Sequence, residues 1–174
     1  MTALSKARVI SSAVVILGTV SAAPRPLHAA TPSEVRSLRG LSGVEVVIEN
    51  LTEEERALGL KAEQLQGDVQ SRLRESGIRV LTSDDRAPGR PWLYMRVFTL
   101  KSTSVPLVSF FVVAQLHQDA TLERNPDSHL GATTWDAGAG GLAGLGAIAE
   151  AVSGTVRDLA EKFSGDFLAV NAGR

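Results

Sequence analysis

Residues 107–116 read LVSFFVVAQL, and the alternation in this stretch decides the fold. Every second side chain is apolar while those between are mixed, which is typical of a strand that buries one face. The apolar set is Val108, Phe110, Val112, Ala114 and Leu116. The stretch 92–101 (WLYMRVFTLK) alternates in the same way, with Leu93, Met95 and Val97 as its apolar set. We therefore predict neighbouring strands over 92–101 and 107–123 that share one buried face.

Shorter patterns on either side of these strands complete the predicted fold. Alternating or short apolar runs predict strands over 44–49, 78–82 and 130–136, and apolar spacings of three and four predict helices over 61–76 and 147–170. The order is β-α-β-β-β-β-α. This order predicts an α+β two-layer sandwich, in which a mostly antiparallel sheet of about five strands carries two helices packed on one face.

Local signals mark where the predicted elements begin and end. Thr52 and Glu55 have the spacing of a capping box, and Gly77 follows the first helix where a left-handed residue is favoured. Residues 125–128 (NPDS) predict a turn. The run 137–146 (AGAGGLAGLG) predicts a flexible connection or a close backbone approach. Its G-x-G-x-x-A spacing matches a dinucleotide fingerprint, but no further strand follows the last helix, so no dinucleotide site is predicted.

The first 22 residues have the layout of a secretory signal peptide. Lys6 and Arg8 precede an apolar run of 12 residues, 9–20, which is too short to span a bilayer core of about 30 Å. Small side chains before position 23 predict cleavage after Ala22. A second small-residue site at 29–30 and retention of the segment as a membrane anchor are the alternatives.

Composition then sets the boundaries of the domain and narrows its partners. We expect a signal peptide over 1–22, a flexible, proline-containing lead-in over 23–40 and a single α+β domain over 41–174. Signal removal leaves 16 basic and 19 acidic residues, a net charge of −3 without a clustered basic face, which argues against nucleic acid as a partner. Cysteine is absent, which excludes disulfides, a thiolate zinc site and a lipid-anchor cysteine.

The mixed sides of the two long strands form a face rich in aromatic residues. Its members are Trp92, Tyr94, Arg96, Phe98, Phe111, Gln115, His117 and Asp119. A fully solvated sheet face holds fewer large apolar groups than this. Three explanations stay open: a loop or the lead-in covers the face, a partner or a second copy docks on it, or it forms a small-molecule groove.

No catalytic or metal-binding constellation is recognisable in the sequence. His117 and Asp119 share a strand face, but two ligands do not make a metal site. A Ser-His-Asp triad lacks support because the sequence has no GxSxG nucleophile elbow. We therefore predict no catalytic residue, no cofactor and no metal, and a protein that is not an enzyme.

Several segments resemble an uncharacterised family of exported bacterial proteins. They are GVEVVIENL, QLQGDVQSRLRESGIRVL, PWLYMRVFTLK, ATTWDAG and VRDLAEKFSGDFLAVN, and together they cover nearly the whole mature chain. The predicted architecture is similar to small α/β modules of envelope proteins, such as the amino-terminal domain of TolB and the assembly protein LptE. The resemblance implies an envelope location and assigns no catalytic residue.

These observations predict an exported, periplasmic or extracellular, non-enzymatic protein that binds a macromolecule through the aromatic sheet face. The expected partner is an envelope protein or a second copy of the chain, and no stable membrane span is expected after signal removal. The alternative is a small-ligand or lipid carrier of the cell envelope.

Export is directly testable at the amino terminus. A fusion of residues 1–30 to a reporter should be secreted, because the charged head, short apolar run and small residues are the features that the export machinery recognises. Amino-terminal sequencing of the mature protein should begin near Ala23. Intact Met1 on protein recovered from the cytoplasm would contradict the expectation.

Overall fold

The computed structural model describes residues 25–172, so the predicted signal peptide and its cleavage site lie outside the described residues. The strands are β1 (Arg25–His28), β2 (Val44–Ile48), β3 (Val80–Leu81), β4 (Trp92–Lys101), β5 (Leu107–Leu122) and β6 (Asn125–Gly144). The helices are α1 (Pro32–Ser37), α2 (Glu53–Ala57), α3 (Ala62–Glu75) and α4 (Ile148–Asn171). The strands form one six-stranded sheet in the order β1-β6-β5-β4-β2-β3.

The α+β class is confirmed, but the sheet is larger and more mixed than the predicted sheet of about five, mostly antiparallel strands. Strand β2 runs parallel to both β3 and β4, whereas β4, β5, β6 and β1 pair antiparallel in succession. The parallel pairs arise because α2 and α3 carry the chain back across the sheet between β2 and β3. The loop over 82–91 returns the chain again, so β4 starts at the same end as β2.

The predicted buried face of the two long strands is confirmed. All eight apolar residues assigned to it on β4 and β5 are buried. On this side of the sheet, the α4 stripe packs against β5 and β6, and the α3 stripe packs against β2, β3 and α4. The α3 stripe is Leu65, Val69 and Leu73, and the buried apolar residues of α4 are Ile148, Val152, Val156, Leu159, Ala160, Phe163 and Phe167. One continuous core therefore lies between the sheet and these two helices.

A buried tryptophan ties the last helix to β6. The Trp135 ring is fully buried and meets the Phe163 ring edge-on, with centroids 5.1 Å apart. Its indole N–H donates to Asp166 at 2.9 Å, and Lys162 also donates to this carboxylate at 2.8 Å. The polar end of a buried indole needs a partner, and Asp166 on the same helix supplies it.

The predicted capping box at Thr52 and the predicted left-handed residue at Gly77 are both confirmed. Thr52 and Glu55 form a reciprocal capping box at the start of α2, with backbone-to-side-chain distances of 3.2 and 2.8 Å. Gly77 follows α3 with φ +76°, a left-handed conformation that glycine adopts without a steric penalty.

The prediction of a flexible glycine-rich connection over 137–146 is wrong. Most of this run continues β6, which pairs with β5 as far as Gly144 and with β1 on its other edge. The close backbone approach that was the alternative is what the structure has. A methyl group on Gly140 would collide with the Phe110 carbonyl oxygen, and one on Gly138 would lie 2.7 Å from the Phe111 ring.

Two further predictions differ from the structure. The lead-in over 23–40 contains β1 and α1, because β1 completes the open edge of β6 and a Thr31–Glu34 capping box starts α1. The turn predicted over 125–128 lies two residues earlier, at 123–124, because β5 and β6 continue their pairing to Leu122 and Asn125.

The tight fit of β6 predicts opposite effects for two glycine substitutions. Gly140→Ala should lower the free energy of unfolding by about 1–3 kcal/mol, because the added methyl group meets backbone that cannot move aside. Gly154→Ala in α4 is the matched control. A methyl group on Gly154 would meet no neighbouring atom within 4 Å, so this substitution should raise the free energy of unfolding by up to about 1 kcal/mol. Urea unfolding of both variants measures this; equal effects would contradict the assigned fit.

Candidate interaction face

The structure brings the predicted face residues together on the side of the sheet opposite α3 and α4, which we call the open face. The register pairs Trp92 with His117, Tyr94 with Gln115 and Phe98 with Phe111. These side chains are partly to well exposed, whereas the alternate side chains of the same strands are buried. Asp119 lies beyond the end of β4 and pairs with Gly131 on β6.

At one end of the open face, Trp92 anchors the first of two aromatic stacks. The Trp92 and His117 rings are stacked with centroids 5.2 Å apart and planes 10° apart, and the Tyr94 ring meets His117 edge-on at 5.9 Å. The far edge of the indole reaches β6, where a methyl group on Gly131 would lie 3.1 Å from it. The stack therefore crosses β4, β5 and β6.

Farther along the face, Phe98 and Phe111 form the second stack with centroids 6.3 Å apart. The Phe111 ring lies over the bare backbone of Gly138 and Gly140. The Arg96 guanidinium lies 4.3 Å from the Phe98 ring centroid, on the ring face, as in a cation–π contact. Both stacks thus follow one pattern, in which a ring on β4 meets a ring on β5 and that stack abuts a glycine on β6.

Charged groups on the open face are paired with one another. The Arg96 Nε lies 2.6 Å from Glu49 Oε2, just beyond the end of β2. Arg90 holds Asp119 through two contacts of 2.6 and 3.0 Å. Arg90 has φ +38°, an uncommon conformation for a non-glycine residue. The Arg90 side chain binds Asp119 with two nitrogens, and the Asp119 N–H donates to the Gly89 carbonyl at 2.7 Å. These bonds hold the loop over 82–91 against β5.

The surroundings shift two pKa values on the face. Partial burial lowers the pKa of His117 below 6.5, which keeps its imidazole neutral at pH 7. Partial burial raises the pKa of Tyr94 above 10, and its hydrogen bond to Glu49 adds to the effect. Both rings are therefore uncharged at neutral pH, as rings inside an aromatic contact should be.

Sequence reasoning missed the residues that complete this face. Glu49, just beyond β2, was not among the predicted face residues, although it contacts Arg96. Gly138 and Gly140 were assigned to a connection. Their spacing of two, which puts both on one side of a strand, was the available signal.

A separate cluster lies at the β1 edge of the sheet and was not foreseen. His28, Glu34 and Asp136 direct their ligand atoms to within 4.8 Å of one another. Burial raises the pKa of Asp136, and its hydrogen bond with Glu34 raises it further, whereas bonds from the Thr31 N–H and hydroxyl hold the pKa of Glu34 low. Asp136 pairs with Gln115, so the cluster borders the open face. His117 and Asp119, which the sequence analysis considered as metal ligands, are not part of this cluster. His117 contacts Trp92 and Tyr94, and Asp119 contacts Arg90.

An open hollow of about 850 Å³ lies between α2 and the β4–β5 turn, where β4 ends. Its apolar lining includes Leu58, Leu100 and Leu145, and its charged lining includes Glu54 and Lys101. Leu100 is 73% exposed, so the hollow has an apolar rim.

No protein-family model matches the chain, and no curated protein matches its sequence. Two solved structures of the PelC dodecamer from Paraburkholderia phytofirmans are similar in structure. One is 16% identical with a TM-score of 0.44, over 81% of this chain and 95% of the PelC chain. The other is 17% identical with a TM-score of 0.43, over 81% of this chain and 96% of the PelC chain.

The lowered pKa of His117 predicts a pH dependence of stability. The unfolded chain binds this proton at about pH 6.5, before the folded protein does, so the stabilisation is complete above that pH and is lost as the pH falls towards the folded pKa. His117→Gln removes the titrating imidazole and with it this contribution to the pH dependence of stability. Unfolding midpoints of wild type and variant should converge as the pH drops from about 7 to 5. Parallel curves would show that the ring is not desolvated.

Proposed function

We propose that this chain is an exported, periplasmic protein that binds another protein of the cell envelope through the open face. The observation that carries the proposal is the pair of aromatic stacks on a sheet face that α3 and α4 leave uncovered. Binding energy at protein interfaces is concentrated in a few aromatic and arginine side chains. Trp92, Tyr94, Arg96 and Phe111 are side chains of that kind.

The stacks also reduce the entropic cost of binding. A ring that already rests against another ring and a glycine backbone loses little rotational freedom when a partner covers it. Phe111 over Gly138 and Gly140 meets this condition, and so does Trp92 over His117. The partner therefore meets a preorganised surface rather than mobile side chains.

The charge pattern favours a partner with matching polar groups over a strongly charged one. Arg96 is paired with Glu49, and Arg90 is paired with Asp119, so the open face presents neutralised pairs. Such pairs can be buried without leaving an unpaired charge, which would be costly.

We propose a binding role rather than catalysis for the polar groups of the face. His117 contacts Trp92, Tyr94 and the Thr133 hydroxyl, and Asp119 bonds to Arg90. In the described part of the chain these contacts do not form a nucleophile–base–acid series, which a triad mechanism requires.

The proposed location rests on the signal-peptide layout and on the resemblance to exported bacterial proteins. Among the helices that the structure describes, none is both long and apolar enough to cross a membrane. We propose that the mature protein is held in the envelope by its partner. A second copy of the chain is the other occupant that the face fits.

The carrier alternative has one observation in its favour, the hollow beside α2. It lies at the end of the sheet and not beneath a segment that covers the open face. An apolar fluorescent probe that binds the wild type, is lost with Leu58→Asn and Leu145→Asn, and is retained with open-face variants would favour this alternative.

Paired measurements test the proposal on the same variants. Tyr94→Ser with Phe111→Ser, and Arg96→Ala alone, should weaken partner binding by about 2 kcal/mol or more, because they remove the anchors of the surface. Thermal unfolding should change by less than the 2–5 kcal/mol of a typical core truncation. Quantitative crosslinking in the envelope measures binding, and light scattering separates self-association from a different partner.

Leu168→Ala is the matched control. Leu168 is 43% exposed on α4, close to the 40% of Phe98, but it lies in the other layer. Its variant should capture the partner as the wild type does. Unchanged capture by the double variant would remove the support for the proposal, and global unfolding of that variant would show that the face is core.

A further inference from the structure

Three metal-ligating side chains meet at the β1 edge of the sheet, each from a different element. His28 ends β1, Glu34 lies in the first turn of α1, and Asp136 lies in β6. From this convergence we infer that His28, Glu34 and Asp136 form a binding site for a divalent transition metal ion of the zinc type. The inference is independent of the partner-binding proposal.

The distances suit a single ion. His28 Nε2 and Asp136 Oδ1 are 3.3 Å apart. Ligand atoms that bind one zinc ion tetrahedrally at about 2.0–2.1 Å lie about 3.3 Å from each other. The Glu34 carboxylate completes the group within 4.8 Å of both partners. Glu34 is partly exposed, so its side chain has room to move towards the other two ligands.

The donor set selects the class of metal. One imidazole nitrogen and two carboxylate oxygens are ligands of zinc and of related transition metals, whereas magnesium and calcium take oxygen ligands almost exclusively. Three protein ligands leave the fourth tetrahedral position for water or a partner's group. The Glu34 and Asp136 carboxylates lie close together at this site, and a cation bound between them would offset the repulsion of their like charges.

The site also has fixed surroundings. Glu34 uses Oε2 to accept from the Thr31 N–H as part of the α1 capping box, which orients its carboxylate while a second oxygen stays available. Asp136 is held in the ladder opposite Gln115, and His28 is held opposite Gly138. Groups that orient a ligand contribute to metal affinity.

Metal binding here would fasten the amino-terminal part of the domain. Strand β1 is only four residues long, and α1 has no buried residues. An ion shared by β1, α1 and β6 would crosslink both elements to the sheet. Since a ligand that binds only the folded state shifts the folding equilibrium towards that state, the ion should raise the unfolding temperature.

Isothermal titration of the full chain with zinc sulfate, with calorimetric unfolding alongside, tests the inference. Zinc should bind with one equivalent per chain and raise the unfolding temperature, and magnesium at the same concentration should do neither. His28→Ala, Glu34→Gln and Asp136→Asn should each weaken zinc binding by about tenfold or more. Glutamine at Glu34 can still cap the helix, and asparagine at Asp136 is isosteric, so folding is retained.

His117→Ala with Asp119→Asn is the matched control, because it removes a histidine and an aspartate from the neighbouring strand β5. This variant should bind zinc with the wild-type affinity. Three results would overturn the inference: no one-equivalent binding, undiminished binding by His28→Ala, or magnesium displacing zinc at equal concentration. The cobalt-substituted wild type should also show the visible absorption of four-coordinate cobalt, and octahedral absorption would count against the site.

Discussion

The backbone of β6 at Gly138 and Gly140, which is bare where it meets β5 and the Phe111 ring, is the constraint on which the pairing of the sheet depends. A side chain at Gly138 or Gly140 would collide with that ring or with the Phe110 carbonyl. Glycine at these positions lets β6 lie against β5 over its whole length and still accept β1 on its outer edge. The same contact fixes the Phe111 ring and gives the open face its second aromatic stack.

The two sides of this sheet carry different kinds of interaction. Beneath it, close-packed apolar side chains from β4, β5, α3 and α4 form the core, where tight packing supplies stability. On the open face, rings stack across strands and the charges form pairs such as Arg96 with Glu49. Partial exposure weakens the contribution of such pairs to stability. The ordered rings and ion pairs of the open face support the binding role proposed above.

The amino-terminal part of the domain depends on the same edge. Strand β1 pairs with the outer edge of β6, and α1 follows at Pro32 with its own capping box. This path brings His28 and Glu34, six positions apart in sequence, next to Asp136. The cluster forms because β1, which lies in the segment predicted as a flexible lead-in, pairs with β6.

The sequence alone determined what depends on local period and local hydrogen bonding. The alternation over 92–101 and 107–116 separated the buried face from the open one, and the stripe of α4, the Thr52 capping box and Gly77 followed from spacing. Only the tertiary structure decided the pairing. The parallel neighbours of β2, the strand character of 137–144 and the partner of each ring depend on segments distant in the chain. Glycine has no side chain, so the sequence does not show which strand will pack against it. The members of the open face were therefore predicted, whereas its stacks, its ion pairs and the His28 cluster were not.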